Sequence, residues 1–428
     1  MAENKITESR LSSTIRALRH RNFRLFFSGQ LISLIGTWMQ TVAQSWLVYR
    51  LTGSSALLGS VNFASQIPVF LLSPLGGVVA DRHSRHRIVI ATQAASMLLA
   101  FALAGLTLFR IVQVWEIFVL SALLGVVNAF DIPARQAFIV EMTSREDLIS
   151  AIALNSSAFN GARIVGPAVA GITVAAVGEG WCFFANAVSY IAVIAGLLMM
   201  RVPPFRTRQS ESSALRHVAE GFRFVARTAP IRTLLLLVGL VSLAGMPFSV
   251  LMPIFADRIL NAGARGLGIL MGISGAGALM GALLLAARRT VRGLGRWIAI
   301  STAMFSVLLI LFAYSRVFWL SAALLVPIGF SVMIQMGSSN TLIQSMTPDH
   351  LRGRVLAAYS MMLMGMAPIG ALIAGVVAER IGAPATVAAG GVACGIGAAA
   401  FAWYLPGIRQ EARELILAQS ATIPPEAS

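Results

Sequence analysis

Charge is what this sequence lacks most. Only 12% of its 428 residues are Asp, Glu, Lys or Arg, where soluble globular domains carry about 25%. A single soluble core of that length would leave too few charges to cover its surface. Lysine is almost absent: of 33 basic residues, only Lys5 is not an arginine. Cysteine is scarce too. Cys182 and Cys394 both fall in apolar runs, which excludes a disulfide framework and the paired spacing of a zinc site. No Gly-x-Ser-x-Gly elbow, His-Glu-x-x-His pair or Gly-x-x-x-x-Gly-Lys phosphate loop occurs, so there is no ATP site of that kind. Gly275, Gly277 and Gly281 lie within an apolar segment and read as helix-packing glycines. The chain reads as no enzyme: no catalytic residue, no metal ligand and no cofactor is expected.

What is present is apolar. Hydrophobic residues make up 57% of the chain, and its mean hydropathy is +0.79. Lipid accommodates such a chain because apolar side chains can face acyl tails directly. The net charge of +16 invites a nucleic-acid reading. The arginines argue otherwise, since they sit in short loops between apolar stretches and not along one face of a polar domain. No nucleic-acid partner is expected.

About 20 apolar residues span a ~30 Å hydrocarbon core. Breaks at charge and Gly/Pro clusters give twelve segments, at roughly 25–49, 55–80, 88–109, 114–134, 148–177, 181–200, 233–256, 266–287, 297–314, 318–340, 355–378 and 385–405. The backbone must satisfy itself in lipid, so these are helices. With the N-terminus inside, the cytoplasmic segments hold 26 of the 33 basic residues, and Arg163 alone falls inside a span. A miscounted helix would scramble that asymmetry. Residues 1–24 read as a cytoplasmic leader, since the apolar run after them is too long for a signal-peptide core. Residues 25–200 form a first six-helix bundle, 201–232 a cytoplasmic central loop, 233–405 a second bundle and 406–428 a cytoplasmic tail. In the central loop Leu215, Val218, Phe222 and Val225 share one helical face and Arg216, Glu220, Arg223 and Arg227 the other, which predicts an interfacial amphipathic helix.

The halves echo each other. "MTSREDL" (142–148), leading to Gly166–Pro167, is matched some 200 residues later by "MTPDHL" (346–351), leading to Ala367–Pro368. Two six-helix repeats place a solute site near the midplane between them.

After the second segment comes "GGVVADRHSRHR" (76–87). Gly77 lets neighbouring helices approach, and Asp81 is placed to cap the next helix or meet another helix's positive end. A topogenic basic loop with a helix cap accounts for the same residues. The loop resembles the Gly-x-x-x-Asp-Arg signature of the major facilitator superfamily, with Ser84 in place of a usual glycine and His86 in place of Arg or Lys. That resemblance implies an all-α fold of two pseudo-symmetric six-helix bundles and a gating role for Asp81, Arg82 and Arg85. "FNGARIVGPAVAG" (159–171) resembles the fifth-helix motif of proton-coupled drug antiporters, which implies export and gives Gly166 and Pro167 a place in gating. Its Ala158, Ala162, Gly166 and Ala170 form a small-residue stripe for close helix packing, and Pro167 should kink the helix. "FDIPARQAFIVEM" (130–142), "LNSSAFNGARIVGPAVAG" (154–171), "EGFRFV" (220–225) and "PDHLRGRVLAAYSMMLMGMAPIGALIAG" (348–375) are similar to the branch that includes enterobactin-type siderophore exporters.

Candidate solute contacts follow from polarity inside spans. Arg163 lies near the midplane, where charge costs ~3 kcal/mol or more. It either lines a cavity and binds the solute, or bonds backbone carbonyls or Asp131. Asn160 and Ser156 precede it on the same face. Thr37, Gln40 and Gln44 continue a stripe from Ser33 on the first helix, and Asn62 and Gln66 lie one turn apart on the second. These line the cavity or bond between helices. Met361, Met362, Met364 and Met366 offer an adaptable apolar wall or simple core packing. Proton coupling has two acidic candidates, Asp131 and Glu116. Asp131 serves either as proton acceptor or in a salt bridge to Arg82 or Arg85.

The expectation is therefore a secondary transporter, functional as a monomer in the lipid bilayer of a bacterial cytoplasmic membrane, with both termini inside. It exports a small amphipathic solute, siderophore-like or drug-like, by alternating access driven by an ion gradient, most simply H+. A lysophospholipid transporter or nutrient importer of the same fold is one alternative, and a non-transporting receptor or scaffold another.

Overall fold

A peptide group in lipid finds no water to bond, so each segment must close its own hydrogen bonds. The computed structural model describes residues 16–144, 146–202, 223–288 and 290–421, and these form helices joined by short turns, with no strand among them. The long helices are α1 Arg21–Thr52, α2 Ser55–Arg82, α3 Arg85–Leu108, α4 Val114–Met142, α5 Leu148–Val177 and α6 Glu179–Leu198. They continue with α7 Ala229–Ile259, α8 Gly263–Ala286, α9 Leu294–Tyr314, α10 Phe318–Met346, α11 Asp349–Ile381 and α12 Ala383–Ala421.

Eleven of these are long and apolar enough to cross a membrane. The twelfth, α1, has 32 residues, or about 48 Å at ~1.5 Å per residue, ample for a bilayer core. Its hydropathy is diluted by Gln30 and by the stripe Ser33, Thr37, Gln40 and Gln44, of which Ser33 and Gln40 are buried. The all-α twelve-helix fold expected from the sequence is the one found.

α7 and α11 are not regular. α7 passes from α-helix into a π turn at Val241–Gly245, a 3-10 turn at Met246–Ser249 and a second π turn at Phe255–Ile259. Pro247 and Pro253 lack the N–H that a regular helix needs there. In α11 the π turn Met361–Gly365 lies just before Pro368, for the same reason. By contrast α5 runs as one α-helix through Pro167.

Two compact units divide the described chain. One holds α1, α3 to α6, α2 from Ala64 onward and residues 261–272; the other holds α7, α9 to α12, residues 54–63 and α8 from Ile273 onward. Two helices, α2 and α8, thus change unit along their length. Each unit has its own core: Phe23, Phe26, Phe138 and Leu197 in the first, Ile231, Leu234, Ile298 and Phe401 in the second.

The internal repeat has a spacing of 204. Met142 ends α4 and Met346 ends α10; Thr143 and Thr347 follow, each donating its hydroxyl to the carbonyl four residues back. Gly178 and Gly382, both at positive φ, make the turns into α6 and α12. At this spacing Gly166 pairs with Gly370, and Pro167 does not pair with Pro368. The packing agrees. A Cβ on Gly166 would meet the α1 backbone at Ile35 and Met39, while one on Gly370 would meet the α7 backbone at Leu243.

The residues after 405, read as a tail from their polarity, continue α12 through Pro406 to Ala421. Ile408, Ala412, Leu415 and Ile416 share one face and pack against the second core. The amphipathic helix expected in the central loop falls mostly outside the described residues. Its described end, 223–227, is helical, with Val225 buried in the second core.

Candidate transport site

The polar stripe of α1 meets polar groups of α4 and α6. Gln40 is buried and accepts from Asn186 Nδ2 at 2.7 Å, and Ser189 Oγ donates to the Asn186 carbonyl at 2.7 Å. Gly36 makes room for this pair, since a Cβ there would lie 2.5 Å from Asn186 Oδ1. Gln44 Nε2 donates to Ser121 Oγ at 2.9 Å, and that hydroxyl donates on to the Ile117 carbonyl at 2.6 Å. A buried amide needs such partners. Thr37 is exposed, and its hydroxyl returns to the Ser33 carbonyl at 2.9 Å. On α2, Gln66 is exposed in the first unit, whereas Asn62 belongs to the second. The structure thus pairs Gln40 with α6 and Gln44 with α4 and leaves Gln66 exposed.

On α5, Ala158 and Ala162 are buried against Leu34, Ile35 and Trp38 of α1. Gly166 touches the same face: a Cβ there would lie 2.4 Å from Trp38 Cβ. This contact positions Arg163. Its guanidinium lies over the Trp38 ring, 5.9 Å from the centroid, and Trp38 stands edge-on to Phe159 at 5.7 Å. Neither backbone carbonyl nor Asp131 bonds Arg163; among the described residues its contact is with the indole face. The nearby amide Asn160 donates to the Ser156 carbonyl at 2.9 Å. A guanidinium carries five N–H donors, and here an aromatic wall holds it with those donors unpaired.

Asp131, deep in α4, is buried and engaged on both oxygens. It accepts from Thr92 Oγ1 at 2.8 Å and Gln93 Nε2 at 3.0 Å, both on α3, and is ion-paired with Arg135 Nε at 3.1 Å. This corrects the expected bridge to Arg82 or Arg85, because Arg135 lies one turn away on the same helix. Arg85 pairs with Glu141 at 2.8 Å and with Asp81 at 3.5 Å. Arg82 is exposed. Asp81 does not cap α3, whose N-cap residue is Ser84; its side chain is 62% exposed. The glycine expectation is also corrected. A Cβ on Gly77 would meet nothing, whereas one on Gly76 would lie 2.1 Å from the Ala129 carbonyl oxygen, so Gly76 is where α2 and α4 touch.

Glu116 forms a capping box at the start of α4, accepting from the Gln113 N–H at 2.8 Å. Met362 packs in the second core, while Met364 is exposed. Gly171 and Pro167 meet α8: a Cβ on Gly268 would lie 2.4 Å from the Pro167 carbonyl oxygen.

Three carboxylates escaped sequence reasoning. Asp147, between α4 and α5, is ion-paired with Arg16 at 3.1 Å and bonds His20 Nε2 at 2.9 Å. The His20 hydrogen bond, followed by the charges of Arg16, His20 and Arg19, holds its carboxyl below the usual carboxylate range against the opposing effect of burial. Glu179 takes Arg50 in a two-pronged pair, 2.7 Å from Nε and 3.3 Å from Nη2. Glu379 engages the start of α2. The available signal was position, since Glu179 follows a turn glycine and Glu379 stands three residues before one.

Twelve membrane-length helices among the described residues, in two repeated sets with amides and a guanidinium turned between helices, define a polytopic membrane transporter of the major facilitator fold. The chain belongs to the transmembrane secretion effector family, whose model matches residues 12–424. It is 25% identical to the staphyloferrin A transporter of Staphylococcus aureus over 84% of this chain and 90% of that one. It is 29% identical to a multidrug efflux pump of Mycolicibacterium fortuitum, covering 82% and 88%. With the enterobactin exporter of Shigella boydii the identity is 24%, covering 88% and 89%. Among solved structures, a nucleoside transporter superposes with TM-score 0.68 at 17% identity, covering 90% of this chain and 98% of the other. A bacterial homologue of the human lysosomal transporter Spinster gives 0.64 at 14%, covering 94% and 98%. These likenesses carry the fold; the three relatives named above are siderophore and drug transporters.

Proposed function

We propose that this transporter exports a small amphipathic solute bearing an anionic or strongly accepting group, by alternating access across a bacterial cytoplasmic membrane. The observation that carries the reading is Arg163, whose donors have no hydrogen-bond partner among the described residues and which lies over the face of Trp38. A guanidinium inside a span is stable only with a partner, water or a cavity, and an oxyanion matches its planar fork. Trp38 and Phe159 supply the aromatic surface for the apolar part of the solute. The names of the relatives, a staphyloferrin A transporter, an enterobactin exporter and multidrug pumps, support export of a siderophore-like or drug-like molecule. Proton antiport is the proposed energy source, with Asp131 as acceptor, and both termini are proposed to face the cytoplasm.

The test is to delete the gene and compare metabolites retained in cells with those in the medium. A specific amphipathic anion should accumulate inside. Wild-type complementation should restore its release, and Arg163→Ala should not, at equal membrane abundance. Release at the wild-type level by Arg163→Ala and Arg163→Lys would overturn the assignment.

A further inference from the structure

Two glycine crossings join helices from the two sequence repeats, both at the membrane face opposite the Asp81 loop. In one, a Cβ on Gly171 of α5 would lie 3.0 Å from Gly268 Cα of α8; in the other, a Cβ on Gly375 of α11 would lie 3.0 Å from Gly59 Cα of α2. Gly171 and Gly375 are 204 residues apart, the spacing of the repeat. The crossings explain why residues 54–63 and 261–272 belong to the units opposite those of the helices they begin.

The second crossing carries something the first does not. Glu379, one turn beyond Gly375, turns its Oε2 to the N-terminus of α2. There it accepts from the backbone N–H of Ser55 at 2.9 Å and of Ala56 at 3.2 Å, and from the hydroxyl of Ser54 at 3.1 Å. The single hydroxyl proton of Ser55 serves either Glu379 at 2.8 Å or the Gly375 carbonyl at 2.9 Å. Ser54 Oγ in turn accepts from the Leu57 N–H at 3.3 Å, completing the cap. The equivalent position in α5 is Ala175, which offers no such group. A carboxylate in the last turn of a helix opposes that helix's own dipole. Its placement in α11 makes electrostatic sense only through the positive end of α2.

We infer that Glu379 is a positioning residue of the transport cycle, a latch that holds the start of α2 on α11 and must let go for the transporter to open toward that face. This rests on the alternating-access reading. α2 belongs to one unit from Ala64 onward and to the other before it. α2 is one α-helix across Phe63 and Ala64, so units that rock with α2 unbent break the cap on Ser55. The bonds are charge-assisted yet the residue is exposed, so they are releasable on the timescale of a cycle. The asymmetry of the repeat then gives the two crossings different strengths, with the α2–α11 crossing the later to separate.

The experiment uses full-length protein in lipid nanodiscs, with Cys182→Ser and Cys394→Ser removing native thiols. Spin labels go at the exposed positions Leu51→Cys and Ile381→Cys, and distances are read by pulsed electron resonance. Adding Glu379→Ala should raise the ratio of long to short distances about fivefold. Glu379→Gln should give part of that shift. Ser54→Ala with Ser55→Ala, which keeps Glu379, should shift the ratio in the same direction. A purely packing role would lower melting temperature and leave the distance ratio alone. Folded, monodisperse Glu379→Ala with the wild-type ratio overturns the latch. A wild-type distribution that is single and indifferent to solute and pH gradient defeats the alternating-access reading instead.

Discussion

The carboxylate of Asp131 lies 3.1 Å from Nε of Arg135, one turn further along α4, with Thr92 and Gln93 of α3 donating to its other oxygen. Removing one partner of such a buried pair strands the other charge. Arg135→Leu should therefore lower stability by about 2–3 kcal/mol, read as a fall in melting temperature in detergent. Asp131→Asn keeps the shape and the Thr92 contact, so it should fold. In proteoliposomes it should lose efflux driven by a pH gradient and retain downhill solute exchange. Intact proton-driven efflux in Asp131→Asn would remove the coupling role.

At Arg163 the question is geometry as much as charge. An ammonium does not reproduce a planar fork lying on an indole face. Arg163→Lys should therefore resemble Arg163→Ala, each cutting solute flux by at least about tenfold, while Trp38→Phe should cost less. Binding by isothermal calorimetry should fall in the same order.

The two adjacent glycines of α2 separate cleanly. At Gly76 a Cβ would lie 2.1 Å from the Ala129 carbonyl oxygen, and at Gly77 it would meet nothing. Gly76→Ala should cost about 1–3 kcal/mol by overpacking, and Gly77→Ala should be neutral or slightly stabilising, since alanine is the better helix former. Thermal melts of the two variants side by side decide this.

Asp147 gives a pH dependence whose sign is fixed. Its folded-state pKa is depressed, so its stabilising effect is present above the unfolded carboxylate value, near 3.8, and is lost as pH falls through the still lower folded value. Wild type should therefore melt above Asp147→Asn at pH 7, and the gap should begin to close below pH 3.8 and vanish only under the folded value.

Much of this was legible in the sequence, for physical reasons. Lipid forces every span to be a helix, and charge clusters mark where spans end, so twelve segments emerge from composition alone. The 158–162–166 stripe foretold close packing because small residues at that spacing leave little else to expect. What stayed hidden were partners distant along the chain. Asn186 stands 146 positions from Gln40, and Glu141 stands 56 from Arg85. A motif names the residue type but not the carbonyl it approaches, which is why Gly77 was expected where Gly76 makes the contact. The Arg135 pairing was local and could have been read: an aspartate and an arginine four apart on one helix face meet without help from tertiary structure.

Direction of transport tests the central claim most directly. Membrane vesicles of both orientations, energised by an imposed pH gradient, are to be offered the solute found retained in deletion cells. Inside-out vesicles carrying the wild-type chain should accumulate it, and should fail to do so with Arg163→Ala. Accumulation in right-side-out vesicles instead, or equal uptake without any gradient, would contradict proton-driven export.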